Sequence, residues 1–90
     1  MSGWTNVSVD TRITTHPALL HGLILLCSTT GGDVTVYSGQ DTSGQKIGTF
    51  EGIADQSMPV MFNPPLECDS GIYIDVGSNV TEVAILWEPE

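Results

Sequence analysis

Two histidines, two cysteines and eleven carboxylates are the side chains of this 90-residue chain best suited to acid–base, nucleophilic or metal chemistry. A catalytic centre needs such a group held beside an orienting partner in a pocket. His16 and His21 are the only histidines, and so the only candidates for a general base near neutral pH. His16 precedes Pro17 in a turn, where a polar ring is ordinary. His21 alternates with Leu19, Leu23 and Leu25, which places it on an apolar strand face as a core or interface histidine. A metal site built on the two histidines would need a third donor, and Asp10, Cys27 and Asp75 are the candidates. No spacing joins them, so the reading is no metal and no cofactor. Glu67 and Asp69 lie on one side of a strand-like segment, and Asp33 and Asp41 flank a hairpin. A glycosidase-like carboxylate pair would also need a cleft that so small a body hardly supplies. The Asp41-Thr-Ser-Gly44 stretch lacks the alternating acidic ligands of a calcium loop. No phosphate-cradling glycine loop is present. The chain is read as no enzyme.

Cys27 and Cys68 are forty-one residues apart, outside any CxxC or Cys/His spacing, and are read as free thiols. The charge is low in amount, 14% of residues, but lopsided at −9, with Arg12 and Lys46 the only cations besides the chain terminus. Nucleic acid and anionic membrane surfaces are therefore excluded as partners, since both require a basic footprint. The acidity keeps the chain soluble or suits a basic protein surface. The first residues have neither the basic nor the apolar region of a secretory signal. No secretory route is expected, and the acceptor patterns at Asn6 and Asn79 are read as coincidences.

The elements that would position any site are strands. Val34, Val36 and Ser38 alternate with Thr35 and Tyr37, and a polar loop rich in Gly, Ser and Asp leads to a second strand at residues 46–50. Residues 19–27 are apolar on both sides, as in a central strand with two covered faces. Gly31 and Gly32 suit a hairpin turn after it. Pro59 places residues 57–62 at a sheet edge, and Asn63-Pro-Pro65 reads as a loop that cannot continue a ladder. Further strands are expected at residues 11–15, 71–77 and 80–87. The predicted core is Val34, Val36, Ile47, Ile72, Ile74, Val83, Ile85 and one face of residues 19–26. Residues 1–10 form an N-terminal arm that lies along a neighbouring surface or pairs as an edge strand. Residues 11–90 form one all-β domain, an antiparallel β-sandwich or jelly roll of about seven to eight strands.

The layout of a mostly apolar strand at residues 19–27, a glycine turn, Val-Thr-Val-Tyr37, a Ser-Gly loop, Lys-Ile-Gly-Thr-Phe50 and a last pair of strands resembles small β-sandwich virion proteins of tailed bacteriophages and prophages, of the decoration, cement or head-auxiliary type. The similarity covers roughly residues 11–88. It implies a structural protein, made in the bacterial cytoplasm, that decorates and stabilises a phage capsid as a homo-oligomer, preferably a trimer, with the major capsid protein as partner. A carbohydrate- or receptor-binding module of a fibre or adhesin is the alternative. The residues expected at an interface are Trp4, Val7 and Val9 of the arm, Tyr37 and Tyr73, which point away from the core, and Ala84 and Leu86 on the outward side of the last strand. Far-ultraviolet circular dichroism should show a β spectrum without helical minima; substantial helix would point first to residues 17–27.

Overall fold

The structure, a computed structural model, describes residues 3–90. Eight strands run through them: β1 (Gly3–Val7), β2 (Thr11–Thr14), β3 (Ala18–Cys27), β4 (Asp33–Ser38), β5 (Gln45–Glu51), β6 (Ser57–Cys68), β7 (Ile72–Val76) and β8 (Val80–Pro89). Among the described residues there is no helix. The strands form a front sheet in the order β1-β8-β3-β6 and a back sheet in the order β2-β7-β4-β5. Every pairing is antiparallel, and β1 pairs with β8, β2 with β7, β3 with β6 and β4 with β5. The chain is thus one long hairpin whose tip is the loop between β4 and β5. It is rolled up so that β3 also meets β8 and β4 also meets β7. Two sheets wound from eight strands in this way are a jelly roll.

The tip is shaped by its residues. Asp41 Oδ1 accepts the Ser43 backbone N–H at 2.9 Å, and Gly44 N–H donates to Asp41 O at 3.1 Å. Gly39 and Gly44 cross so closely that a Cβ built on Gly39 would lie 2.8 Å from Gly44 Cα, so side chains are excluded from both. Between the sheets, period-2 alternation sends one set of side chains inward. Leu20, Leu23, Leu25, Val83 and Ile85 of the front sheet meet Val34, Val36, Ile72 and Ile74 of the back sheet, all fully buried. Ile47 sits at the margin, half-buried against this cluster, as do Phe50, Phe62, Val76 and Trp87. No polar or charged residue is buried among the described residues. Fully burying each such aliphatic side chain contributes about 1.5–3 kcal/mol.

Several expectations need correction. Residues 28–32 are a crossover between sheets and not a hairpin turn, because both edges of β3 are already occupied, by β6 and β8. The crossover's backbone is satisfied by other loops: Ser28 N–H donates to Asn79 O at 2.9 Å and Gly52 N–H to Gly32 O at 2.9 Å. Pro59 does lie on an edge strand, but Asn63, Pro64 and Pro65 do not end it. β6 runs through them as a bulge, which tolerates missing donors, with a cis peptide before Pro64. The register with β3 jumps from Met61–Gly22 to Leu66–Leu20. His21 is the extra residue of the matching irregularity in β3, so the alternation breaks there. Leu23 and Leu25 face inward while Leu19 and Gly22 face outward, and His21 does not share a face with Leu23 and Leu25. Residues 3–7, by contrast, take one of the two placements expected of the arm, an edge strand paired with residues 83–87. Residues 1 and 2 lie outside the described part.

Ile74→Ala, which empties a site between the two sheets, should lower the unfolding free energy by about 2–5 kcal/mol in urea titrations. Gly71 has a φ of 114°, and a Cβ there would run into Thr14 O. Gly71→Ala should therefore destabilise by about 1–3 kcal/mol even though it adds only a methyl group. A neutral result would mean that the turn before β7 relaxes freely.

Candidate interaction surfaces

The outer face of the front sheet is built from four rows that the strand register lays across it. Trp4, Leu86, Gly22 and Met61 form one row, and Asn6, Ala84, Ile24 and Pro59 the next. Glu82, Leu26 and Ser57 follow on one side; Glu88, Leu19 and Glu67 follow on the other. The two central rows hold no charged residue. Leu19, Ile24, Leu26, Ala84 and Leu86 are half-buried by one another, and the flanks stand clear, with Trp4 53% and Met61 59% exposed. Gly22 is what lets Met61 lie flat: a Cβ there would sit 2.6 Å from its sulfur and 2.7 Å from Val60 O. A continuous apolar surface rimmed by polar groups is the kind of surface on which partners pack.

The rim is acidic. The charged residues on front-sheet strands are Glu67, Glu82 and Glu88, with no lysine or arginine. His21 Nε2 lies 2.7 Å from Glu88 Oε1, tying the irregularity in β3 to the last strand. Trp87 points the other way, into the sandwich, where its indole N–H donates to Thr5 Oγ1 at 3.0 Å.

The outer face of the back sheet is polar. One row across it reads Arg12, Tyr73, Tyr37, Lys46. The two phenol rings stand 6.3 Å apart, tilted by 54°. Arg12 Nε donates to Gln40 O at 2.8 Å, holding the tip loop to β2. In the next row Thr35 and Thr49 bond across the strands at 3.0 Å beside Asp75. Partial burial, then the charge of Asp10 and a hydrogen bond with it, raise the pKa of Asp75. Burial followed by the charges of Asp10 and Asp75 likewise raises that of Tyr73, with Arg12 opposing. Asp10 is fixed in this position because its Oδ1 accepts the Val76 N–H at 2.8 Å.

The residues weighed for chemistry are dispersed. His16 is exposed beside Thr14, and His21 lies in the front sheet. Asp10 and Asp75 do meet, on the back sheet, whereas Cys27 is buried at the end of β3. No group of three or more metal-ligating side chains occurs among the described residues. Both cysteines are free and buried. Cys68 pairs with Ala18, at the opposite end of β3 from Cys27, so the two stand roughly 25–30 Å apart along the strand, against the ~7 Å that a disulfide spans. Burial raises the Cys68 thiol pKa, only partly offset by a hydrogen bond with Ser38, which keeps it protonated and poorly nucleophilic. An open cleft of about 440 Å³ lies at one end of the sandwich, between Asp33, Glu51, Ser78, Asn79 and three glycines. It brings Asp33 and Glu51 together with the Ser78 hydroxyl and the Asn79 amide, and no histidine, cysteine, lysine or arginine is among its lining residues.

No family model, curated protein or solved structure matches the chain. What defines it is the jelly roll with one apolar and one polar outer face. The seven residues expected at an interface divide among these surfaces. Trp4, Ala84 and Leu86 come together on the front face, and Tyr37 and Tyr73 adjoin each other on the back. Val9 is exposed in the link between β1 and β2. Val7 is corrected: it pairs with Val83 facing inward and is 8% exposed, so it belongs to the core. Leu19, Ile24, Leu26, Pro59 and Met61 were not anticipated as surface residues. For Leu19, Ile24 and Leu26 the signal was the apolar character of both faces of β3; Pro59 and Met61 belong to β6.

Asp75 generates a pH prediction. Its folded pKa lies above the unfolded value, so the native state holds an extra proton between the two and loses relative stability as pH rises through that window. Asp75→Asn should therefore melt at a higher temperature than the parent chain at neutral pH. That advantage should shrink as pH is lowered through the carboxylate range. Equal melting temperatures at both pH values would show that Asp75 carries no penalty.

Proposed function

We propose that this chain is a non-catalytic structural module that docks through the outer face of its front sheet, and that the surface it docks on is a phage or prophage capsid, which it decorates and reinforces. The observation that carries the reading is β3. It is apolar on both faces, yet only one face is covered by the core, and the other opens between Trp4 and Met61. A strand of that composition suits burial on both sides, so the missing cover is a partner. The jelly roll supports the class by analogy alone, being an architecture that viral capsid and lectin domains share. The layout similarity to phage decoration and cement proteins supplies the particular partner, the major capsid protein. In this reading Trp4 brings the N-terminal strand into the contact. Copies of the chain associate, preferably as a trimer, through other surfaces.

The adjacent Tyr37 and Tyr73 favour a second reading, a carbohydrate- or receptor-binding module, in which the back face would stack on sugars.

Ala84→Asp sets a carboxylate in the middle of the apolar rows without touching the core. The variant should keep its β spectrum and lose at least about tenfold in binding to purified expanded capsids of the encoding phage or prophage, since burying an unpaired charge costs more than about 1.4 kcal/mol. Tyr37→Ala with Tyr73→Ala should leave capsid binding intact. Loss of glycan binding in that double variant, with unchanged capsid binding by Ala84→Asp, would reverse the order of the two readings.

A further inference from the structure

We infer that the partner covering the front face is a basic protein surface, an apolar patch bordered by lysine or arginine, and not a second copy of this chain. The inference rests on the docking reading above and adds the chemistry of the occupant. Both cationic side chains of the chain, Arg12 and Lys46, lie on the back sheet, in β2 and β5. The front face ends in Glu82 at one extremity of its apolar rows and in Glu67 and Glu88 at the other, where His21 lies beside Glu88. Along β3 these extremities are roughly 20 Å apart, and the four strands are about 14 Å across between their outer axes.

Two consequences follow. First, a second copy stacked with its apolar rows over these brings glutamate against glutamate in either lengthwise orientation, with no lysine or arginine on the front-sheet strands of either copy to compensate. Like charges brought together in this way oppose pairing. Second, the apolar rows span only about 20 by 14 Å between strand axes, so the glutamates at their ends fall within the contact that a stacked copy would make. A partner wider than the module can cover the rim as well as the centre, and cations opposite Glu82 and opposite Glu67 would then meet both ends. The chain's −9 charge would steer it toward such a surface.

The test uses the full chain and two fluorescein-labelled peptides, one of alternating leucine and lysine and one of alternating leucine and glutamate, followed by anisotropy. The Leu–Lys peptide should bind, with affinity falling between about 50 mM and about 300 mM salt as the contacts are screened; the Leu–Glu peptide should not. Glu67→Gln with Glu82→Gln should weaken Leu–Lys binding by at least about fivefold, near 1 kcal/mol. Asp41→Asn with Asp75→Asn removes the same charge from the opposite side and should leave affinity within about twofold. Ala84→Asp should abolish binding although it makes the chain more acidic, and Leu86→Gln gives the same test if that variant fails to fold. Equal losses in the two double variants would show attraction to net charge alone and overturn the inference. If Ala84→Asp and Leu86→Gln are silent, the docking face itself is wrong. If they abolish binding while Glu67→Gln with Glu82→Gln does nothing, the face stands and the basic partner fails. A dimer in sedimentation that Ala84→Asp dissolves would assign the face to a second copy.

Discussion

The pairing of β3 with β8 is the constraint on which the rest of the molecule depends. Without it the chain is a long hairpin with its strands in nested pairs; with it the outermost pair is carried beside the third, and the ribbon closes into two sheets. The pairing is held by side chains on its inner side. Leu23 lies opposite Ile85, Leu25 opposite Val83, and Leu20 opposite Trp87, so each rung of the ladder adds apolar surface to the core. Antiparallel registers with one face buried resist slipping, because a shift of one residue would turn that face to water. The irregularity at His21 fits this scheme. It re-sets the alternation between Leu20 and Leu23 so that both remain inside.

The same register that builds the core assembles the outer face. With Leu23 and Leu25 turned in, Ile24 and Leu26 must turn out, and β8 aligns Ala84 and Leu86 beside them. β1 adds Trp4 and β6 adds Met61 at the flanks. The face is therefore the back of the same sheet whose inner side closes the core. Its glutamates lie at the two ends of the rows, Glu82 at one and Glu67 and Glu88 at the other.

The back sheet shows the opposite use of the same geometry. Its outer face collects both cations, both tyrosines and the Asp10–Asp75 pair. One body thus presents an apolar acid-rimmed surface on one side and a mixed polar surface on the other. That segregation cannot arise from composition, since residues adjacent in sequence, such as Tyr73 and Ile74, point to opposite sides.

Strand character, a single all-β body, the β4–β5 hairpin and most of the core were legible in the sequence, because period-2 alternation and turn residues are local signals. Val34, Val36, Ile72, Ile74, Val83 and Ile85 announce their direction within five residues of chain. The glycines at 31 and 32 looked like a hairpin because local chemistry cannot say whether a turn joins two strands of one sheet or of two. Nor could it show that Asn63, Pro64 and Pro65 would bulge without ending β6, or that an extra residue at His21 would reverse the face of everything after it. Val7 and Trp4, three residues apart, read alike as apolar residues of an arm, yet pairing with β8 turns one into core and the other into surface. The sequence alone determined that β3 is apolar on both sides. Only the tertiary structure decided that one of those sides stays uncovered, because coverage depends on which strands come to lie across from it, and that is settled by the whole roll.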